Sequence, residues 1–217
     1  MNRAFAAAAV ALCLTACSQS GGSSSSSSPS ASPTAQATNP IAFPLYAPST
    51  LISSRSWIQR VGGDAARGQE VIAESPATLD QLTDWIHGLS ARPPNGYVVS
   101  ASGSGMETAR RHAQELGVDF QVFTHDVDGK THALIVVALD PSEFETKAGP
   151  VLGWIDKYEM LPKSFREPID AQARDRTGFT VSQALDVSTP IGAALAAART
   201  LRNSGERGLV LIDAVKN

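Results

Sequence analysis

Residues 118–139 carry the most restrictive local pattern in the chain, two runs of alternating apolar and polar residues separated by Asp128-Gly129. An Asp-Gly pair favours a type I′ turn, whose twist matches that of two antiparallel strands. The pattern therefore predicts a β-hairpin in which His125 lies opposite His132. The alternation also predicts a core face made of five apolar residues: Phe120, Val122, Ile135, Val137 and Leu139.

Helical patterns and further strands surround this hairpin. Apolar residues recur at spacings of three and four from residue 79 onward, and Asp140-Pro141 and Thr189-Pro190 are typical helix starts. The nearly continuous apolar run at 208–214 predicts a central strand. Helices and strands that alternate around an antiparallel hairpin predict the α+β class, as a single domain with a mixed sheet and helices packed on it.

Two segments predict interruptions of the helices. Gly149-Pro150 falls inside the helical pattern that starts at Asp140, and proline in a helix interior predicts a break or a kink. Residues 160–178 are rich in charge and proline and predict a long connection, with only a short helix near residues 169–174.

The N-terminus has the organisation of a secretory signal. Arg3 precedes an apolar stretch of about ten residues, which is too short to span a membrane and suits a signal peptide. The residues Leu-Thr-Ala-Cys that end at Cys17 resemble the lipobox of bacterial lipoproteins. This resemblance covers residues 1–17 only, and it implies cleavage at Ala16 and lipidation of Cys17 as the mature N-terminus.

The resemblance also implies a location in the cell envelope. Several acyl chains on one residue anchor a protein stably. Ser18 follows the cysteine, and in lipoproteins of Gram-negative bacteria a residue other than Asp at this place favours the periplasmic face of the outer membrane. The following stretch, to Asn39, has no charge and no aliphatic side chain larger than alanine, which predicts a disordered Ser-rich tether.

The expected organisation is thus a signal peptide at 1–16, the lipidated Cys17 and its tether at 17–39, and one globular domain at 40–217. A net charge of −3 does not suit a nucleic-acid partner. Both cysteines precede residue 18, so the domain contains neither a disulfide nor a thiolate ligand. The motifs GxSxG and HExxH are absent. The sequence identifies no catalytic residue and no cofactor, and it favours a protein that is not an enzyme.

The facing histidines of the hairpin are candidate metal ligands. Side chains directly opposed in an antiparallel pair have Cβ atoms about 5 Å apart. His125 and His132 could therefore hold zinc or copper if further ligands came from elsewhere in the chain. Asp126 points to the other face and is not expected to join them. The alternative is that both histidines are polar residues at the solvent end of a hairpin.

The segment from Tyr158 to Phe179 mixes aromatic residues and methionine with four basic residues. Such side chains are concentrated at protein interfaces, which makes Tyr158, Phe165 and Arg166 candidate partner-binding residues. The alternative is a packed connection whose apolar residues fill the core.

Together these features predict a lipid-anchored, periplasm-facing protein that acts as a binding or accessory module for another envelope protein. One version of this role is an inhibitor or immunity-type lipoprotein that neutralises an envelope-directed enzyme. The competing hypothesis is a periplasmic hydrolase or metal-binding protein that uses His125 and His132.

Overall fold

A computed structural model describes residues 39–61, 64–100 and 104–216. The strands are β1 Thr50–Val61, β2 Asp64–Ser75, β3 Val98–Val99, β4 Val118–Val127, β5 Lys130–Leu139 and β6 Arg207–Lys216. The helices are α1 Leu79–Ala91, α2 Ser104–Glu115, α3 Pro141–Tyr158, α4 Lys163–Thr177, α5 Val181–Leu185 and α6 Pro190–Leu201. The predicted signal peptide, Ala16, Cys17 and the predicted tether as far as residue 38 lie outside the described residues.

The described strands form one sheet in the order β1-β2-β6-β5-β4-β3. Strand β6 lies between the hairpin β1–β2 and the hairpin β4–β5, which confirms the central strand predicted at 208–214. The α+β class is confirmed as well. The sequence predicted a mixed sheet, whereas every pairing in the described sheet is antiparallel. The reason is that β6 runs antiparallel to β2 and to β5, the two strands between which it lies.

Both faces of the sheet are buried by different parts of the chain. One face packs against α2, α3, α5 and α6, and its core includes Phe120, Leu139 and Phe144. The other face packs against α1 and the segment 41–46, and its core includes Phe123 and Leu134. The central strands therefore carry apolar side chains on both sides, which explains the unbroken apolar run in β6.

The predicted hairpin is confirmed in register and in turn geometry. His125 pairs with His132, and Asp128 and Gly129 both have positive φ angles, 52° and 75°, as a type I′ turn requires. The five predicted core residues lie on one face. Val122 is partly buried there, and the other four are buried.

The predicted break at Gly149-Pro150 and the predicted long connection at 160–178 were both wrong. Helix α3 runs without a break from Pro141 to Tyr158, although Gly149-Pro150 lies inside it. Most of the expected connection at 160–178 is the 15-residue helix α4, which contains Pro168. In both helices, tertiary packing of apolar side chains outweighs the local cost of proline.

Candidate functional site

The two histidines of the hairpin meet an acidic residue from the neighbouring strand. His125 on β4 and His132 on β5 point to the face of the sheet that α1 partly covers, and Asp213 on β6 points to the same face. We call these three residues the His–Asp cluster. Each of them is partly buried. The cluster therefore draws one side chain from each of three adjacent strands.

The carboxylate of Asp213 lies between the two imidazole rings. Its Oδ1 atom is 3.0 Å from Nε2 of His125 and 3.1 Å from Nδ1 of His132. Its Oδ2 atom is 3.2 Å from the same Nδ1. One oxygen thus accepts hydrogen bonds from both rings, and the polar atoms of all three side chains lie close together.

Tyr97 holds His125 in this position. Its ring lies 4.5 Å from the imidazole centroid at an angle of 31°. The Tyr97 hydroxyl donates a hydrogen bond to the Ala42 carbonyl oxygen, which joins this ring to the N-terminal segment of the fold. Burial, followed by the negative charge of Asp213, raises the pKa of Tyr97 above its ordinary value. The phenol therefore stays neutral beside the cluster at physiological pH.

The spacing of the cluster fits a metal ion. The three ligand atoms lie within 4.8 Å of one another. Metal–ligand bonds of 2.0–2.2 Å in a tetrahedral zinc site separate neighbouring ligand atoms by about 3.3 Å. The observed N···O distances of 3.0–3.2 Å are close to that value. His125 Nε2, His132 Nδ1 and one Asp213 oxygen could therefore hold an ion when both ring nitrogens are unprotonated.

The cluster opens into a cleft of about 570 Å³, which we call the sheet cleft. The cleft lies over the part of the sheet that continues beyond α1. The residues that border it include Ile41, Ile58, Arg67, Gln69, Val127 and Val215, in addition to Tyr97 and the His–Asp cluster. A site of this volume is within the range of about 300–1,000 Å³ found for small-molecule sites.

Sequence reasoning identified two members of the cluster and missed the third. Asp213 is 81 residues from His132 and 88 from His125, so only the placement of β6 beside β5 brings them together. A charged residue inside the apolar run at 208–214 was the one available signal. Asp126 was correctly excluded, since its carboxylate accepts a hydrogen bond from the Thr131 hydroxyl on the other face.

The three candidate partner-binding residues have different surroundings. The side chain of Tyr158 is buried, and its hydroxyl donates to Asp170 Oδ2 at 2.5 Å. The Arg166 guanidinium lies 5.4 Å from the Tyr158 ring and donates hydrogen bonds to the carbonyl oxygens of Glu159 and Leu161. Phe165, in contrast, is 62% exposed. Tyr158 and Arg166 thus join α3 to α4, and Phe165 presents the free apolar surface.

Comparison with protein-family models, with curated proteins and with solved structures gives no match for this chain. Within residues 39–61, 64–100 and 104–216, no helix is long and apolar enough to cross a membrane. The function has to be inferred from the geometry of the described site.

Proposed function

We propose that this chain is a lipid-anchored protein of the bacterial envelope whose folded domain binds a divalent transition-metal ion, zinc or copper, through the His–Asp cluster. The observation that carries the proposal is the convergence of three potential ligand atoms within 4.8 Å at the sheet cleft. Two imidazoles and one carboxylate form a ligand set known for zinc. Three protein ligands leave the fourth tetrahedral position open, as in sites that bind a further molecule.

Binding of a ligand is better supported than hydrolysis. Zinc hydrolases use a carboxylate or another base beside the metal to activate water. Among the described residues that border the sheet cleft, Asp213 is the one carboxylate, and it is a proposed metal ligand. The described part of the cleft offers no second carboxylate as a general base, so we favour a metal-binding module over a metallohydrolase.

Metal affinity tests this function directly. The full chain, purified in detergent without chelator, is stripped of metal and titrated with Zn²⁺ and with Cu²⁺ in a calorimeter. We expect one equivalent to bind. His125→Ala, His132→Ala and Asp213→Asn should each weaken binding by more than about 100-fold, since second-shell partners alone contribute 10–100-fold.

A matched control is His87→Ala. His87 is an exposed residue on α1 that contacts Asp119 and does not border the sheet cleft. This variant should bind metal as the unaltered chain does. Binding that survives all three cluster variants, or that His87→Ala removes, would contradict the proposal.

A second candidate function is supported by the exposed end of α4. Phe165 is 62% exposed and Met160, just before the helix, is 76% exposed, and Lys163 lies between them in the sequence. Exposed apolar residues beside a basic residue are typical of protein-binding surfaces. This surface supports the predicted role as a module for an envelope protein partner.

The partner-binding role predicts a specific loss in affinity capture. An envelope protein retained by the full chain should be lost with Phe165→Ser and with Met160→Ser. It should be retained by Val98→Ser, which alters a similarly exposed apolar side chain on β3, outside the sheet cleft. Equal retention by all variants would remove the support for this surface.

The anchoring part of the proposal has its own test. Cys17→Ser should block processing at Ala16 and release the chain from the membrane fraction after cell breakage. If the variant still sediments with membranes, the proposed anchor is wrong.

A further inference from the structure

The sheet cleft contains a row of side chains that leads from an apolar residue to the His–Asp cluster. Ile58 pairs with Arg67, and Arg67 pairs with Val215. Ala133 on β5 pairs with Ala214 on β6, so the same register places His132 next to Val215. His132 in turn pairs with His125 on β4. Five adjacent strands therefore present five side chains in one line across the sheet.

We infer that the sheet cleft binds a small organic anion, a carboxylate or a phosphonate-like oxyanion on an apolar body. One of its oxygen atoms would occupy the open metal position and its charge would pair with Arg67. This inference rests on the proposed metal-binding function, since the metal supplies one of the two contacts to the anion.

The charge of the cleft favours an anion. Arg67 borders the cleft and is exposed. Within the described residues it has no ion pair and its side chain donates no hydrogen bond. A bound divalent cation, with Arg67, outweighs the single negative charge of Asp213. A guanidinium binds carboxylate and phosphate oxygens through two parallel hydrogen bonds.

The spacing allows one anion to contact both positive groups. Two interstrand gaps of about 4.8 Å separate Arg67 from His132, which gives about 10 Å between their Cα atoms. The long arginine side chain and the imidazole both rise from the same face of the sheet. Their polar ends can therefore approach opposite sides of a single oxyanion that lies above Val215.

The remaining walls suit an apolar body. Ile58 is 81% exposed and Val127 is 38% exposed, and both border the cleft. Ile58 lies beside Arg67, and Val127 lies beside the cluster. Each therefore adds apolar surface next to one of the anion-binding groups. A ligand with a ring or a short alkyl chain would cover part of this surface and gain affinity from its burial.

The test uses four probes that separate charge from shape. Benzoate and phenylphosphonate carry an oxyanion on a ring, benzamide is the neutral counterpart of benzoate, and acetate has no apolar body. Each is titrated into the zinc-loaded full chain, and zinc affinity is first measured alone. We expect benzoate or phenylphosphonate to bind at least about tenfold more tightly than benzamide, as expected for hydrogen bonds to a charged group. Acetate should bind more weakly than benzoate.

Arg67→Gln is the decisive variant. It should weaken binding of the preferred anion about tenfold or more and leave zinc affinity within about twofold. Arg111→Gln, which alters an exposed arginine on α2 away from the cleft, is the matched control and should change neither value. Rescue by Arg67→Lys should be partial, because an ammonium group lacks the paired donors of a guanidinium.

The outcomes separate the two proposals. Zinc binding without any preference for the anionic probes would overturn the ligand inference and leave the metal site intact. Anion binding that is unchanged by Arg67→Gln, or that persists equally after metal removal, would also overturn it. Absence of zinc binding in the first titration would overturn the proposed function itself.

Discussion

The buried carboxylate of Glu70 makes the stability of the sheet sensitive to one exposed arginine. Glu70 on β2 is 1% exposed and pairs directly with Arg55 on the edge strand β1. Arg55 Nε and Nη2 donate to the two carboxylate oxygens at 2.7 and 3.1 Å. The hydrogen bond to Glu70 raises the pKa of Arg55, which remains charged. Replacing Arg55 by methionine therefore leaves a buried negative charge without its partner.

The cost follows from the burial of the two side chains. Removal of one member of a fully buried ion pair costs about 3–5 kcal/mol, whereas exposed pairs contribute about 0.2–1 kcal/mol. Arg55 is 56% exposed. Its loss therefore lets water approach Glu70 from one side. We expect Arg55→Met to lower the free energy of unfolding by about 2–3 kcal/mol, just below the range for a fully buried pair.

A double-mutant cycle separates this effect from the packing of the arginine stem. Glu70→Leu removes the buried charge and leaves an arginine that can turn to solvent, so it should cost less than about 1 kcal/mol. The double variant should recover most of the stability lost in Arg55→Met. The coupling should then be about 2 kcal/mol.

The assay is urea unfolding of each variant, followed by far-ultraviolet circular dichroism at neutral pH. The decisive comparison is between the two single variants. The reasoning is refuted if Arg55→Met lies within about 0.5 kcal/mol of the unaltered chain, or if Glu70→Leu is the more damaging change.

Two further predictions concern the helical layer, and urea unfolding checks both. Tyr158→Phe should cost about 1–2 kcal/mol at neutral pH, because the hydroxyl loses its bonds to Asp170 and Ser182. Burial and the bond to Asp170 raise the pKa of Tyr158 above 10.0. The contribution of the hydroxyl is therefore complete below about pH 10 and is lost as the pH rises through the folded-state pKa. The free energies of unfolding of Tyr158→Phe and the unaltered chain should thus converge at high pH. A difference between them that stays constant with pH would contradict this. Gly178→Ala should cost at least about 1–2 kcal/mol, since Gly178 ends α4 with φ +76° against the His112 ring. Gly88→Ala, in open space on α1, should instead stabilise slightly, and equal effects at the two glycines would refute the reasoning.

The sequence was most informative where the decisive interactions are local. The hairpin depends on alternation and on one Asp-Gly turn, which lie within 22 consecutive positions, and its register was predicted to the residue. Thr189 was likewise predicted from its own neighbourhood, and its hydroxyl accepts a hydrogen bond from Gly192 N at the start of α6. In both places a short stretch of chain contains the donors, the acceptors and the turn residues that define the structure.

The incorrect predictions concern interactions between distant residues. Judged from its neighbours in the sequence alone, Pro168 favours an irregular connection over a helix. The helix persists because Ala173 and Thr177 are buried and because Asp170 bonds to Tyr158 on α3. The third member of the His–Asp cluster could not be assigned for the same reason. Nothing near Asp213 in the sequence indicates which strands will lie beside β6.

The central position of β6 has a consequence for the order in which the protein can acquire its site. Residues 207–216 are synthesised after all the other described elements, yet they join the two hairpins and supply Asp213. Before β6 is added, the two hairpins lack the strand that links them, and a metal ion would find only two of its three proposed ligands. A nascent chain that lacks β6 should thus be unable to capture an ion tightly. If the proposed metal site exists, metal loading should therefore report that β6 has joined the sheet.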